Sequence, residues 1–144
     1  MQVLSDIAEL AGLKARHAST RYACDLVVTM IGPRTMKRLN TSYLGHNWET
    51  DVLAFDLSDT PSPHPEDQAY TVGEIYICPA VAAKAAQDYG TSMAYELILY
   101  AAHGMLHLAG RKDASPADRA AMQKCEQHIL AEIQTQYNLE ELVE

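Results

Sequence analysis

The residues best suited to chemistry lie in one segment, AAHGMLHLAGRKDAS, at positions 101–115. His103 and His107 are four residues apart on a predicted helix, so both imidazoles project from one face and can hold the same metal ion. Gly110 lets the chain turn back, and Asp113 follows at a spacing that can return a carboxylate to that ion. Two histidines and one carboxylate form a standard catalytic zinc set that leaves a coordination position open. The segment predicts a hydrolytic metal centre.

The residues around the two histidines narrow the class of reaction more than they narrow the identity of the metal ion. Gly104 stands where HExxH zinc proteases carry a general-base glutamate, which disfavours peptide hydrolysis by that route. A substrate whose negative charge a cation neutralises fits better. The same ligand set also suits nickel, iron or manganese, so zinc is the first candidate and another divalent ion is the alternative.

Two further carboxylates are candidates for catalytic support. Asp51 and Glu74 lie at the end of, or within, otherwise apolar segments. Either could act as general base or hold a metal ligand in place, a role that the missing glutamate at position 104 leaves open. Alternatively, Asp51 is a turn residue and Glu74 faces solvent on an edge strand.

Composition and charge define the class of protein. The 144 residues are 48% hydrophobic and 21% charged, which predicts one globular domain over residues 1–144. The three cysteines form no CxxC pair, which favours reduced thiols and a cytoplasmic location. The first apolar stretch carries acidic residues and lacks a basic start, so we expect neither a signal peptide nor a membrane span. The net charge of −8 disfavours broad adhesion to nucleic acid or lipid, so any RNA contact must be local.

The best local candidate for an RNA-backbone contact is a basic cluster. Arg34, Lys37 and Arg38 are spaced to share one face of a predicted helix, although a solvated helix face explains them equally well. Tyr43 and Trp48 could stack an unpaired base, and packing against the core is the alternative for both.

Hydrophobic periodicity predicts an α+β fold with a small mixed sheet of three or four strands packed against about five helices. The HxxxH helix is central. Val72, Glu74, Tyr76 and Cys78 should share one face of the third strand. Residues 58–70, with three prolines, should form an exposed loop, and the acidic tail should fray. The expected elements are helices at 3–18, 33–43, 79–89, 93–109 and 116–136 and strands at 23–31, 51–57 and 71–78.

Three blocks of residues carry a family resemblance. The run from His103 to Gly110, with Asp113 beyond it, resembles the signature of the YbeY family of bacterial endoribonucleases. Leu39-Asn40 and Tyr43, followed by residues 50–55 (TDVLAF), are similar to that family's LN…Y and T-[ND]-V-L-S-F segments. Residues 72–79 (VGEIYICP) are similar to its GDI-x-I strand. The similarity extends in order over about residues 20–130.

The resemblance implies a zinc-dependent endoribonuclease that prefers single strands and acts in ribosomal RNA maturation and ribosome quality control. Its zinc would be held by His103, His107 and Asp113, and a ribosome or ribosomal protein would be its partner. Two alternatives stay open. One is a non-enzymatic ribosome-assembly factor with a structural metal, and the other is a metalloprotease.

The sequence departs from the family pattern at three points. Asp113 stands where many members carry a third histidine, which implies weaker activity or activity shifted to higher pH, because aspartate neutralises one more unit of metal charge. Leu44 stands where many members carry an arginine thought to serve catalysis, so His46 or Arg111 would have to supply the positive charge. The usual first strand before the opening helix is absent, which favours a short sheet.

Overall fold

A computed structural model describes residues 2–16, 23–44, 51–57 and 69–142. It confirms the α+β class, with three strands and five helices of two turns or more in the described part of the chain. The elements in chain order are α1 Gln2–Leu10, the one-turn α2 Leu13–Arg16, β1 Ala23–Met30, α3 Pro33–Leu44, β2 Val52–Asp56, β3 Ala69–Ile77, α4 Pro79–Tyr89, α5 Met93–Leu108, α6 Pro116–Gln136 and a 3-10 helix Leu139–Leu142.

The sheet is mixed, with β3 in the centre. Its order is β1-β3-β2, with β1 parallel and β2 antiparallel to β3. The parallel register runs from Ala23 opposite Ala69 to Met30 opposite Ile77, and the antiparallel register runs from Val52 opposite Ile77 to Asp56 opposite Gly73. This arrangement confirms the small mixed sheet.

Helix α5 packs directly on the sheet through two glycines. A Cβ at Gly104 would lie 3.1 Å from Cδ1 of Ile75, and a Cβ at Gly73 would lie 2.8 Å from both Cδ1 of Leu108 and the carbonyl oxygen of Phe55. Each glycine therefore accommodates a side chain from the other element. This close contact fixes the height of α5, and of any side chain it carries, above the sheet.

The two faces of the sheet have cores of very different size. On the α5 face, one cluster joins the sheet to α1, α4, α5 and α6, and its fully buried members include Ile7, Ile75, Met105 and Ile129. On the α3 face, the buried cluster consists of Met36, Leu53 and Cys78, with partly buried neighbours around it. Helix α5 is therefore held on several sides, whereas α3 forms an outer layer.

The helix boundaries follow from local capping. Ser92 and Ser115 cap α5 and α6, each accepting a hydrogen bond from the backbone N–H three residues on. Gly90 and Gly110 adopt left-handed conformations, with φ of 70° and 102°, where their helices stop. None of the helices in the described ranges has the length and hydropathy that a membrane crossing requires.

Three sequence predictions about the elements were wrong. The opening helix is two helices, because Gly12 takes a φ of 83° between α1 and α2. Val72 does not share a face with Tyr76 and Cys78, because the register shifts there and Val72 packs with Ile75 in the larger cluster. The tail does not fray over residues 138–142, because Leu139 packs against the core and begins the 3-10 helix.

Candidate metal centre

The C-terminal half of α5 and the loop after it build the site. His103 and His107 lie one turn apart on α5, so their side chains project in similar directions. Gly110 reverses the chain, and Asp113 comes back toward the histidines just before α6 begins. The predicted helix, turn and returning carboxylate are all present.

Three ligand atoms converge at this point. The Nε2 atoms of the two histidines are 3.0 Å apart, and Oδ2 of Asp113 lies 3.8 Å from Nε2 of His103 and 3.4 Å from Nε2 of His107. Tetrahedral zinc with ligands at 2.0–2.1 Å separates them by about 3.3 Å. Among the residues that the structure describes, this triad is the one group with metal-binding geometry.

Each histidine uses its other ring nitrogen for a hydrogen bond. Nδ1 of His103 contacts Oε1 of Glu126 on α6, and Nδ1 of His107 lies 3.2 Å from the carbonyl oxygen of Arg111. Because both partners are acceptors, the neutral tautomer with its proton on Nδ1 suits both histidines, and in that tautomer each Nε2 presents a lone pair. Two lone pairs and a carboxylate oxygen then face one another without a donor between them, an arrangement that a cation satisfies. The donor set therefore fits a divalent metal.

Carboxylates dominate the electrostatics around His103. Burial of the imidazole opposes its positive charge, but the hydrogen bond to Glu126, the charge of Glu126 and the nearby carboxylates of Asp51 and Asp113 together raise the pKa of His103 above 6.5. A concentration of negative charge beside a histidine pair also favours a bound cation.

The site is open to solvent. The side chains of His103 and His107 are each 30% exposed, and that of Asp113 is 46% exposed. Structural zinc sites are closed by four protein ligands, whereas catalytic sites keep a position for a small molecule. Three partly exposed ligands match the catalytic type.

The structure brings one of the two extra carboxylates close to the histidines. Asp51, just before β2, contributes to the raised pKa of His103 and to that of the buried hydroxyl of Tyr100. Glu74 lies on the α3 face of the sheet, where its Oε2 accepts a hydrogen bond of 2.8 Å from the Tyr76 hydroxyl and raises the pKa of that tyrosine. The sheet separates Glu74 from the metal site.

The basic residues that were predicted to bind RNA lie in different parts of the structure. Arg111 belongs to the metal loop, since its carbonyl holds His107. Arg34, Lys37 and Arg38 are exposed on α3, in the layer on the other side of the sheet. His46 and Trp48 lie outside the described residues.

Glu126 is a site residue that the sequence analysis missed. It lies on the buried side of α6 with Met122, Ile129 and Ile133, and it is only 8% exposed. The sequence carried a signal for this role, because Glu126 lies four residues after Met122 and three before Ile129, on the apolar stripe of a helix, and buried carboxylates need a partner.

Glu96 is a second residue whose position differs from the sequence prediction. Its spacing from Ser92 predicts a role in the cap of α5, but it is buried, and its Oε1 accepts a hydrogen bond of 2.6 Å from the Thr91 hydroxyl. Burial, followed by the charge of Glu96, raises the pKa of Tyr100 one turn further along α5.

Comparison with known proteins supports the sequence resemblance. The YbeY family profile, described as "Endoribonuclease YbeY", matches residues 2–134. Proteins named "Endoribonuclease YbeY" include one from Salinibacter ruber, 35% identical over 89% of this chain and 77% of its own length, and one from Desulfitobacterium hafniense, 32% identical over 90% and 85%. The solution structure of TM1509 from Thermotoga maritima superposes with a TM-score of 0.56 at 22% identity, covering 94% of this chain and 83% of that one, which shows a shared fold.

Proposed function

Because this chain belongs to the YbeY family of endoribonucleases, we propose that it is a metal-dependent endoribonuclease that prefers single-stranded RNA. The observation that carries the proposal is the convergence of His103, His107 and Asp113, with both Nδ1 atoms occupied by acceptors. The first-choice metal is zinc, because two imidazoles and one carboxylate at near-tetrahedral spacing suit it. Another divalent transition metal is the alternative.

The protein's own residues would have separate roles in the reaction. Zinc held by the triad would supply a Lewis acid that neutralises charge on the scissile phosphate and makes water more acidic. Glu126 and the Arg111 carbonyl keep the two imidazoles in the orientation that points both Nε2 atoms at one place. Asp51 is the proposed general base, because of the two extra carboxylates it is the one whose charge acts on His103.

Positive charge for the RNA backbone next to the metal would come from Arg111. Leu44 occupies the place of the arginine that many YbeY proteins carry, and Arg111 is the described arginine whose backbone contacts a metal ligand. Its guanidinium can bind phosphate oxygens with paired N–H groups. We assign Arg34, Lys37 and Arg38 to a more distant stretch of RNA, because α3 lies beyond the sheet. His46 is proposed as a further basic contact from the sequence alone.

The proposed substrate in the cell is ribosomal RNA, during its maturation or in ribosome quality control, in the cytoplasm. The net charge of −8 limits binding to arbitrary RNA, so a ribosome or ribosomal protein would bring the enzyme to its target. A metalloprotease is less well supported, because position 104 faces Ile75 and leaves no room for a general-base side chain.

The decisive experiment compares purified protein with a His103→Ala/His107→Ala variant from the same preparation. Cleavage of a single-stranded ribosomal RNA fragment and metal content are measured for both. Metal-dependent cleavage that disappears in the variant supports the proposal. Equal background cleavage, with metal bound by the unaltered protein alone, would instead favour a ribosome-assembly factor, the alternative suggested by Leu44.

A further inference from the structure

A cavity adjoins the loop that carries Asp113. Its volume is about 230 Å³, and it lies between the end of α1, the end of α5 and the middle of α6. Three basic side chains, Arg111, Lys124 and His128, line it. All three are exposed, so a ligand from solution can reach them.

The charge of this cavity is opposite to that of the whole chain. The protein has 19 acidic and 11 basic residues, counting only lysine and arginine, yet no aspartate or glutamate is among the described residues that line the cavity. Lys124 and His128 are one turn apart on α6 and present their side chains together. A guanidinium, an ammonium and an imidazole grouped without a carboxylate form a binding site for a tetrahedral oxyanion.

The remaining wall is apolar. Leu10 and Ala11 come from α1 and the turn after it, and Leu106 comes from α5. Basic groups over an apolar wall suit a ligand with a charged group attached to a less polar body. A nucleotide, with its phosphate joined to a sugar and base, has this character.

The cavity is connected to the candidate metal centre through Arg111. The carbonyl of Arg111 accepts the hydrogen bond from His107, and its N–H donates to the carbonyl of Leu106 at 3.0 Å. Asp113, a metal ligand, follows two residues later, a chain distance of about 7 Å at most. One short loop thus contributes a residue to each site.

We propose that this cavity binds a phosphate of the RNA strand that neighbours the bond being cut. The inference rests on the proposed function and extends it, because it assigns Lys124 and His128 to substrate binding and sets the direction in which the strand leaves the metal site. Binding there would hold the strand across the loop of residues 110–113.

The test measures binding of a fluorescent single-stranded oligoribonucleotide to the full chain in chelator, where metal-dependent cleavage is prevented. A Lys124→Ala/His128→Ala variant is compared with Lys84→Ala, which removes an exposed lysine from α4. At low salt we expect the double variant to bind about tenfold more weakly. The slope of log Kd against log salt should fall by about 0.7 for each phosphate that the variant no longer neutralises, and Lys84→Ala should change neither value.

Several outcomes decide the matter. An unchanged salt slope in the double variant overturns the proposal. The proposal is also overturned if the double variant binds RNA as the unaltered protein does but loses affinity for a polyglutamate peptide. That result would identify a docking site for acidic protein. RNA binding that depends on Lys124 and His128, in a protein that cleaves no RNA when metal is restored, would support this site and refute the enzymatic function. RNA cleavage that does not depend on Lys124 and His128 would support the enzymatic function and refute this binding site.

Discussion

The two faces of the sheet show how differently one small domain can be built. The α5 face carries a continuous core from four helices, and its central helix presents two of the three candidate metal ligands. The α3 face carries a small core around Met36 and Leu53, with Tyr43 66% exposed at its margin and a carboxylate, Glu74, held by a neighbouring tyrosine. Acidic side chains lie beside aromatic or basic groups on both faces. In the described part of the chain, α5 is packed on several sides, whereas α3 is covered on one side.

This difference explains where the site lies. Three ligand atoms must be held within a fraction of an ångström, and side chains on a helix that is packed on several sides meet that requirement. Helix α3 is covered on one side and is better suited to contacts that tolerate adjustment, such as those with an RNA backbone. The following substitutions test whether the division is real.

The largest expected effect comes from shortening one buried side chain in each core. Ile75 is fully buried under α5, and Leu53 is its counterpart beneath α3. We expect Ile75→Ala to cost about 4 kcal/mol of unfolding free energy and Leu53→Ala about 2 kcal/mol, because the smaller cluster can collapse more easily. Urea unfolding gives both values. Metal affinity should fall in Ile75→Ala only, and an equal fall in both variants would contradict the division.

A second substitution crowds the helix–sheet contact. Gly104→Ala places a methyl group 3.1 Å from Ile75, and we expect it to cost about 1–3 kcal/mol. Ile75→Val removes Cδ1, the nearest atom, so the double variant should recover part of that loss. A double-mutant cycle on urea-unfolding free energies measures the coupling. Strict additivity would show that α5 does not rest on Ile75 at this point.

The third substitution separates metal positioning from stability. Glu126→Ala removes the acceptor for Nδ1 of His103, and we expect metal affinity to fall about 10–100-fold. Glu126→Gln keeps an acceptor and should fall less. Glu74→Ala, which removes a carboxylate from the other face, is the matched control and should leave affinity unchanged. Chelator competition gives the affinities, and the visible spectrum of the cobalt form reports ligand geometry.

The smallest expected effect is the pH dependence of the stability contributed by one hydrogen bond on the α5 face. The Tyr137 hydroxyl, and then Gln2, donate hydrogen bonds to Asp6 and lower its pKa below 3.8. A lowered pKa means that the contact stabilises the fold above the ordinary aspartate range and that this contribution disappears as pH falls through the folded-state value. The stability difference between the unaltered protein and Tyr137→Phe should therefore shrink below about pH 4. A difference that stays constant down to about pH 2 would exclude the contact.

Most of the fold and the candidate metal ligands were predictable because they depend on local patterns. The helical spacing of His103 and His107, the glycine turn and the serine caps are each set within a few residues. The strands were located by their apolar runs for the same reason. The family resemblance added the likeness to endoribonucleases, which local patterns could not supply.

The features that the sequence analysis missed depend on distant contacts. Glu126 gains its role from a histidine on another helix, and Val72 changes face because it is an extra residue of β3 in the register with β1. Whether Arg34 and Glu74 lie on the metal side of the sheet is decided by the packing of α3, which residue spacing does not report. Tertiary arrangement, not propensity, set each of these outcomes.

The hydrogen bond between Asp6 and Tyr137 joins parts of the fold that are made early and late in the chain. It joins the first helix to the residue that follows α6, and α1 also packs on α5 and α6. A nascent chain that has been made only as far as α5 holds both histidines, but it lacks Asp113, Glu126 and the cover for α1. Metal binding at the complete site should therefore begin only after α6 has left the ribosome and folded back, so a chain that is still being synthesised carries no competent site.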